Sequence, residues 1–500
     1  MLGVDVGSAL DLVGGVLKWV GAAFVVPAAV ALGYSEPFWP FLLAAAVTAG
    51  AGHALDQITG PKSGAAVGPR EGFLVVALIW LLVPVFGMFP YLLGGVDQLS
   101  NPVDAFFESV SGFTATGATL VTDVDALDRS MLFWRQFSHW LGGMGIVILA
   151  VAVLPRLRIG GRQLLQSELA GPTEIERFGE TVRETARRLW TLYVGLTVVA
   201  TLALAATGWL GLDPAMTLFD AVGYAFSVVS LGGFGTRNTS AADFAAVTQW
   251  LLLLLMIVAG INFLRLYRVV IQRRFRMFAA DEELRLYLAF AALGSALVIF
   301  ELLARGTESG AAAIRHGSFQ AVAVMTTAGF GTTDSSVWGP LATMTLLLLM
   351  FVGASAGSTS GSIKVVRHLL LFKLVRRELE HAVHREVVVP IRAGGRVVDE
   401  RALRSTVVFV LIYVLAFAIG CLALLVDARG TGAELAMIEA IGASAACIGN
   451  VGVAFGFAGP FGSYAPFSDL STIVLTLLMW LGRVEIIPVA VLLSRNYWRD

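Results

Sequence analysis

The chain is short of the residues on which soluble enzymes depend. Charged side chains make up 14% of its 500 residues, against roughly 25% in an ordinary soluble protein. There are two cysteines, Cys421 and Cys447, both in apolar surroundings. Neither a disulfide framework nor a metal site can be assembled from them. The N-terminus carries Asp5 and Asp11 and lacks a basic stretch followed by a cleavage motif, which argues against a removable signal peptide. No paired carboxylates, nucleophile–base set or cofactor fingerprint is visible, so the chain reads as a non-enzyme. The stretch G-S-T-S-G-S-I-K at 357–364 lacks the G-K-[S/T] ending of a phosphate loop and lies in an apolar run, so nucleotide binding and ATP-driven pumping have no site on this chain. A net charge of −1 gives no argument for nucleic acid.

What is present is apolar sequence. Hydrophobic residues reach 57% and the mean hydropathy is +0.78, values of a polytopic protein of the cell (inner) membrane. Runs of about 20 apolar residues suffice to span a bilayer. They lie near 11–33, 37–56, 71–94, 131–154, 188–211, 246–270, 284–304, 338–375, 404–426 and 469–494. Segments 155–189, 265–285 and 364–404 hold 7, 6 and 10 Lys/Arg, which is 23 of the 35 in the chain. The positive-inside rule puts them in the cytoplasm. Segments 93–130, 211–247, 306–340 and 427–469 hold one basic residue each and 15 Asp/Glu between them, and they read as outward-facing. Carboxylates there raise the local cation concentration at an outer mouth.

Each outward segment contains a short apolar stretch that ends in glycine. Aligned on it, they read SGFTATGATL (111–120), SVVSLGGFGT (227–236), AVMTTAGFGT (323–332) and AACIGNVGVA (446–455). T-A-G-F-G in the third matches, type for type, the T-V-G-Y-G loop whose carbonyls dehydrate K⁺ in channels. The aligned glycines Gly117, Gly233, Gly329 and Gly452 are 116, 96 and 123 residues apart, room each time for a return through the membrane. Short helices at 105–115, 221–231, 317–327 and 440–449 precede them. Asp104 and Asp220, thirteen residues before their glycines, are candidate N-caps; Glu439 and His316 fall there in the other two. Non-helical backbone at membrane depth must be buried or line water. The expectation is an all-α polytopic fold: four helix–pore loop–helix repeats around a pseudo-fourfold pore, plus an N-terminal accessory pair. Boundaries are 1–60 for that pair and 71–160, 187–275, 284–375 and 404–495 for the repeats, with a cytoplasmic loop at 376–403. Four short helices aim C-terminal partial charge at a central cavity, which suits a dehydrated monovalent cation.

Further stretches point to a family. FWRQFSHWLGGMGIVILAVAVLP (133–155), QSELAGPTEIERFGETVRETARRLW (166–190), GASAGSTSGSIK (353–364) and MWLGRVEIIP (479–488), in this order, resemble the Trk/Ktr/HKT superfamily of K⁺ transporters, most nearly the bacterial Trk membrane subunit. The resemblance covers roughly residues 70–494. It implies K⁺ uptake through a gated pore, K⁺ and Rb⁺ over Na⁺, in a homodimer regulated by a cytoplasmic nucleotide-binding ring of RCK/KTN type. It implies filter positions at Thr116–Gly117, Gly232–Gly233, Ala328–Gly329 and Val451–Gly452, flanked by Ala115, Ala118, Leu231, Phe234, Thr327, Phe330, Asn450 and Val453. Some relatives with serine at the first filter glycine favour Na⁺; Gly117 goes with K⁺. No loop is a complete T-V-G-Y-G, and four unlike sides discriminate less sharply than a symmetric ring.

Three glycines and four hydroxyl residues in positions 353–361 make poor helix in the middle of an apolar run. The reading is an unwound loop beneath the filter that closes the pore, with Gly353, Gly357 and Gly361 for flexibility and Ser355, Ser358 and Thr359 bonding backbone or ions. Small-residue helix packing is the plainer alternative. Arg483, midway along the last run, is functional by default at that depth; the family's gate arginine corresponds to it. The alternative is a structural pair with Glu485 or a carbonyl. Lys364 reads as the cytoplasmic end of the broken helix, with a pore-lining charge as the alternative. Arg135 and His139 are expected to bond pore-helix carbonyls. His381 and His384 are too few for a metal site; the basic loop 364–404 can bind anionic lipid or a partner protein, and the interleaved acidic residues favour the partner. A symporter coupling K⁺ to Na⁺ or H⁺ is the competing function; with no carboxylate read beside the glycine loops, it is the weaker one.

Overall fold

The protein is described here by a computed structural model that covers residues 4–60, 69–145, 182–271, 273, 281–384, 389–394 and 396–498. Residues 146–155 and 166–181, which carry part of two of the quoted family stretches, lie outside the described residues.

The elements are helices, apart from a two-residue antiparallel pairing of 392–393 with 396–397. Among the described residues, six stretches are long and apolar enough to cross a bilayer: Val6–Tyr34, Trp39–Thr59, Arg70–Leu93, Ala186–Trp209, Glu282–Arg305 and Glu400–Thr431. Two bent pairs, Ala246–Ala259 with Phe263–Val270 and Asp469–Arg483 with Ile487–Leu493, add up to two more. Large apolar side chains point outward along them: Leu411, Leu415, Ile419, Leu422 and Val426 form one exposed stripe at helical spacing. In a bilayer that stripe meets acyl chains.

Helices α1 (Val6–Ala23), α2 (Val25–Tyr34) and α3 (Trp39–Thr59) form the accessory unit. In the first repeat α4 (Pro69–Gly87), continued by the short α5 (Phe89–Leu93), precedes the pore helix α6 (Pro102–Phe113) and the second helix α7 (Arg129–Gly143). The next three repeat the plan: α8 (Val182–Trp209), α9 (Leu218–Ser230), α10 (Ala246–Ala259) and α11 (Phe263–Val270); α12 (Glu282–Arg305), α13 (Gly310–Met325), α14 (Pro340–Met350) and α15 (Val365–Val383); α16 (Glu400–Thr431), α17 (Met437–Ile448), α18 (Asp469–Arg483) and α19 (Ile487–Leu493). Each first helix packs on its own pore helix: α4 on α6, α8 on α9, α12 on α13, α16 on α17. Each second helix packs on the next repeat's pore helix: α7 on α9, α10 on α13, α14 on α17, and α18 back on α6. The last contact closes the circle, so the four pore helices surround one axis.

The sequence reading treats 246–270 and 469–494 as continuous runs; both break. Asn262 ends the first by capping α11, its side chain accepting from the N–H groups of Leu264 and Arg265, and the chain turns by 104°. The second turns by 110°, where Glu485 and Ile486 take positive φ. The pore-helix caps differ too. Asn101 and Thr217 cap α6 and α9, while Asp104 and Asp220 lie one turn inside. Asp220 instead accepts from the Thr217 backbone and from the Thr236 and Arg237 side chains. Glu439 also lies inside α17, and its carboxylate accepts from the Ala436 N–H. His316 sits in the body of α13, bonded to the Thr332 hydroxyl.

Candidate functional site: a ring of four glycine loops above an intramembrane loop

Each pore helix ends the same way. The N–H groups of Thr116, Gly232, Ala328 and Val451 reach back to the carbonyls of Ser111, Ser227, Ala323 and Ala446, at 2.8–2.9 Å. Those of Ala115, Leu231, Thr327 and Asn450 bond Gly112, Val228, Val324 and Cys447 at 3.0–3.2 Å. This is the Schellman pairing, which requires a left-handed residue just past the helix. Ala115, Leu231, Thr327 and Asn450 hold that position with φ of 51–64°, although none is glycine. The cost is about 1–2 kcal/mol each, and such strain collects at functional sites.

Two residues later the aligned glycines also have positive φ: 85° at Gly117, 90° at Gly233, 64° at Gly329 and 82° at Gly452. Their closeness forbids a side chain. A Cβ on Gly117 would lie 2.2 Å from the carbonyl oxygen of Gly232, and one on Gly233 2.5 Å from that of Ala328. On Gly329 it would lie 2.2 Å from that of Val451, and on Gly452 2.2 Å from that of Thr116. The contacts run in chain order and close into a ring of backbone.

Above the ring lies a vestibule lined by all four glycines, Phe234, Val453 and Arg135, among others. The walls are not equivalent. The Tyr464 hydroxyl donates to the Gly452 carbonyl at 2.7 Å, so one of the four sides carries an engaged oxygen. Phe234 stacks on His139, centroids 4.1 Å apart, with the Arg135 guanidinium 4.2 Å from its ring, whereas Phe330 lies against Tyr224. Ala118 follows Gly117 and is buried.

His139 bonds the Gly112 carbonyl at 2.7 Å and accepts the Phe234 N–H at 3.2 Å, tying the first pore helix to the second loop. Arg135 departs from the expectation of bonding a helix carbonyl: it pairs with Glu108 at 2.9 Å, both side chains buried, and donates to Thr119. Glu108 also accepts from the Leu120 N–H. A carboxylate therefore does stand beside a glycine loop, against the sequence reading. Its signal was a lone Glu within the apolar pore helix.

Below the ring, α14 stops at Met350 and the chain runs unwound to Lys364. Gly353 and Gly357 have φ near 72°. Gly361 lies against the Gly449 carbonyl and the Asn450 side chain, under the fourth loop. Its N–H donates to the Thr327 hydroxyl, which itself bonds Ser360. Thr359 donates to the Val229 carbonyl. Farther out, Ser355 N–H bonds the Gly260 carbonyl and Ser358 folds back on Ser355. Asn262 and Glu283 hold Ala356, through its carbonyl and its N–H respectively. The hydroxyls thus fasten backbone to backbone directly beneath the loops.

Arg483 meets this loop from the break after α18. It donates to the Thr359 carbonyl at 2.9 Å and to those of Gly142 and Gly143 at 2.9 and 3.4 Å. The Trp80 ring centroid is 5.3 Å from its guanidinium. Trp80, Gly143 and Arg483 line one cavity with Gly357–Ser362, Lys364 and Glu485. Glu485 is not the partner of Arg483; it pairs with Lys364 and Arg367. Lys364 is accordingly a buried cavity-lining residue as well as the residue before α15, where the sequence reading favoured a helix end over a pore-lining charge. Asn262 and Glu283 were missed, and Glu485 was read only as an alternative partner of Arg483. Asn262 is a lone polar residue in an apolar run and Glu283 closes the acidic triplet 281–283 at the start of another, and that was the available signal. Among the described residues no group of three or more His, Cys, Asp or Glu could hold a metal.

Bundled helices, re-entrant pore helices and a ring of glycine loops define a multi-pass membrane protein of the transport class. A family model, TrkH, described as a cation transport protein, matches residues 43–499. The chain belongs to the TrkH family. It is 34% identical over 492 residues to the Trk system potassium uptake protein TrkH of Halomonas elongata, covering 98% of each chain. It is 33% identical to the Trk system potassium uptake protein TrkG of Escherichia coli, with 97% of each covered. The crystal structure of the potassium transporter TrkH from Vibrio parahaemolyticus superposes with a TM-score of 0.86 at 31% identity, over 99% of this chain and 100% of that one. These relatives are transporters, not enzymes.

Proposed function

We propose that this protein takes up K⁺ across the cytoplasmic membrane through a gated, channel-like pore. The observation that carries the reading is the closed ring of backbone at Thr116–Gly117, Gly232–Gly233, Ala328–Gly329 and Val451–Gly452. Carbonyl oxygens in a ring replace the hydration shell of a bare monovalent cation. The relatives' names support K⁺ as that cation. K⁺ and Rb⁺ pass in preference to Na⁺, with discrimination blunted by the unlike sides. The loop 353–361 and Arg483 form the gate: its backbone fills the space under the ring, and the guanidinium both fastens it and repels cations. The chain works as a homodimer under a cytoplasmic nucleotide-binding ring of RCK/KTN type, which docks on the basic segment 364–404.

Among the described residues Glu108, a buried carboxylate beside a glycine loop, speaks for proton- or Na⁺-coupled symport. Its pairing with Arg135 neutralises it, and the passive reading stands ahead. The test is growth of a bacterial strain lacking its own K⁺ uptake on graded K⁺. Rescue at low K⁺ by the wild-type chain, lost with Gly117→Ala and Gly452→Ala despite normal membrane insertion, supports the filter. Rescue retained by both variants contradicts it.

A further inference from the structure

The gate loop is held at two points by one short stretch of chain. Arg483 takes the Thr359 carbonyl. Two residues on, the Glu485 carboxylate takes the loop's other end, bonding Lys364 at 3.2 Å and Arg367 of α15. All three side chains are largely withdrawn from solvent, at 8–15% exposure. The pairing is further fixed, since the Arg367 guanidinium lies 3.9 Å from the Phe409 ring of α16 and donates to the Ile363 carbonyl.

The backbone on both sides is bent to make this meeting. Lys364 has φ 73°, and Glu485 and Ile486 have φ 58° and 55°. A β-branched residue in the left-handed region is a genuine outlier, and such strain persists only where the surroundings over-determine it. Charge sharpens the point. Lys364 and Arg367 share the Glu485 carboxylate. Breaking a buried pair by removing one partner leaves an uncompensated charge; removing Glu485 leaves Lys364 and Arg367 largely buried without the carboxylate they share.

We propose that Glu485 is a latch: it pins the inner end of the gate loop to the break after α18, and α15 is the lever whose movement releases it. Helix α15 starts at the latch and runs on to Val383, where Lys373 and Arg377 tie it to Glu282 and Glu400. A displacement of α15 is thereby passed to Lys364 and Arg367 before it reaches any residue under the filter. The inference rests on the gate reading above and adds a positioning residue that acts on the loop without touching the permeating ion.

The test is initial Rb⁺ uptake into liposomes containing purified protein, comparing wild type, Glu485→Gln, Lys364→Met, Arg367→Met, the exchange Lys364→Glu/Glu485→Lys, and Arg483→Ala. Folding is checked by elution as a single species in detergent. The latch predicts a rise of at least about tenfold for Glu485→Gln, an unchanged order of Rb⁺, K⁺ and Na⁺, and a return toward the wild-type rate in the exchange variant. Should Glu485→Gln not fold, Lys364→Met and Arg367→Met read the same pairs and are expected to rise. Unchanged or reduced uptake in every folded latch variant, with Arg483→Ala raised, overturns the latch and leaves the gate. An exchange variant as leaky as the folded single variants overturns the pairing. Unchanged uptake in Arg483→Ala as well removes the gate reading on which the latch depends.

Discussion

Replacing Arg483 by alanine removes two bonds of 2.9 Å, to Thr359 and Gly142, and a weaker one to Gly143. Bonds from a charged donor contribute about 1.5–3 kcal/mol each, so the two short ones amount to roughly 3 kcal/mol at the low end of that range. Water entering the adjoining cavity solvates the freed carbonyls and offsets about half of this. What remains is about 1.5–3 kcal/mol, and only the part that favours the closed over the open arrangement moves the gate. At about 1.4 kcal/mol per factor of ten, open probability rises about ten- to hundredfold. Arg483→Lys keeps the charge but loses the planar fork that serves two carbonyls at once, and falls between. Single-channel recording in planar bilayers separates open probability from conductance. Folded Arg483→Ala with unchanged or lower open probability, or with an altered order of permeant ions, refutes the reasoning.

Other outcomes follow from single contacts. Gly329→Ser puts a Cβ 2.2 Å from the Val451 carbonyl, so the third and fourth loops must separate; K⁺ flux is expected to fall with loss of K⁺ over Na⁺ preference, read as reversal potentials in mixed salts. Tyr464→Phe frees the Gly452 carbonyl; a net hydrogen bond of about 0.5–1.5 kcal/mol corresponds to a change of roughly two- to tenfold in the K⁺/Na⁺ permeability ratio, and a ratio identical to wild type counts against that oxygen facing the ion path. Glu108→Ala leaves Arg135 buried without its carboxylate, a loss of about 3–5 kcal/mol. The melting temperature in detergent should drop, whereas the paired replacement Glu108→Leu/Arg135→Met should recover much of it.

The four aligned glycines were legible because backbone packed against backbone leaves no room for Cβ, and glycine alone answers that demand. The strained positions two residues earlier were not legible as a class. Alanine, leucine, threonine and asparagine share no side chain, and the Schellman pairing, rather than the residue type, imposes their conformation. Helix breaks followed the same divide. The unwound stretch after α14 announces itself by seven glycine and hydroxyl residues within 353–361. The breaks at 260–262 and 484–486 are marked only by a few residues inside apolar runs, Gly260 and Asn262 in one and Gly482, Arg483 and Glu485 in the other. Ion pairs were the least readable, since Glu108 meets Arg135 across 27 residues and Glu485 meets Arg367 across 118; only the folded repeats bring such partners together.

The most direct test of the central claim is cation flux into liposomes holding the purified protein alone. K⁺, Rb⁺, Na⁺ and Li⁺ would be compared with no proton or Na⁺ gradient, alongside Gly329→Ser. The account predicts downhill K⁺ and Rb⁺ flux exceeding that of Na⁺ and Li⁺, altered in the variant. Flux that requires an imposed Na⁺ or proton gradient, or that ignores the substitution, would contradict a carbonyl-lined pore and leave the ring of glycine loops without its assigned role.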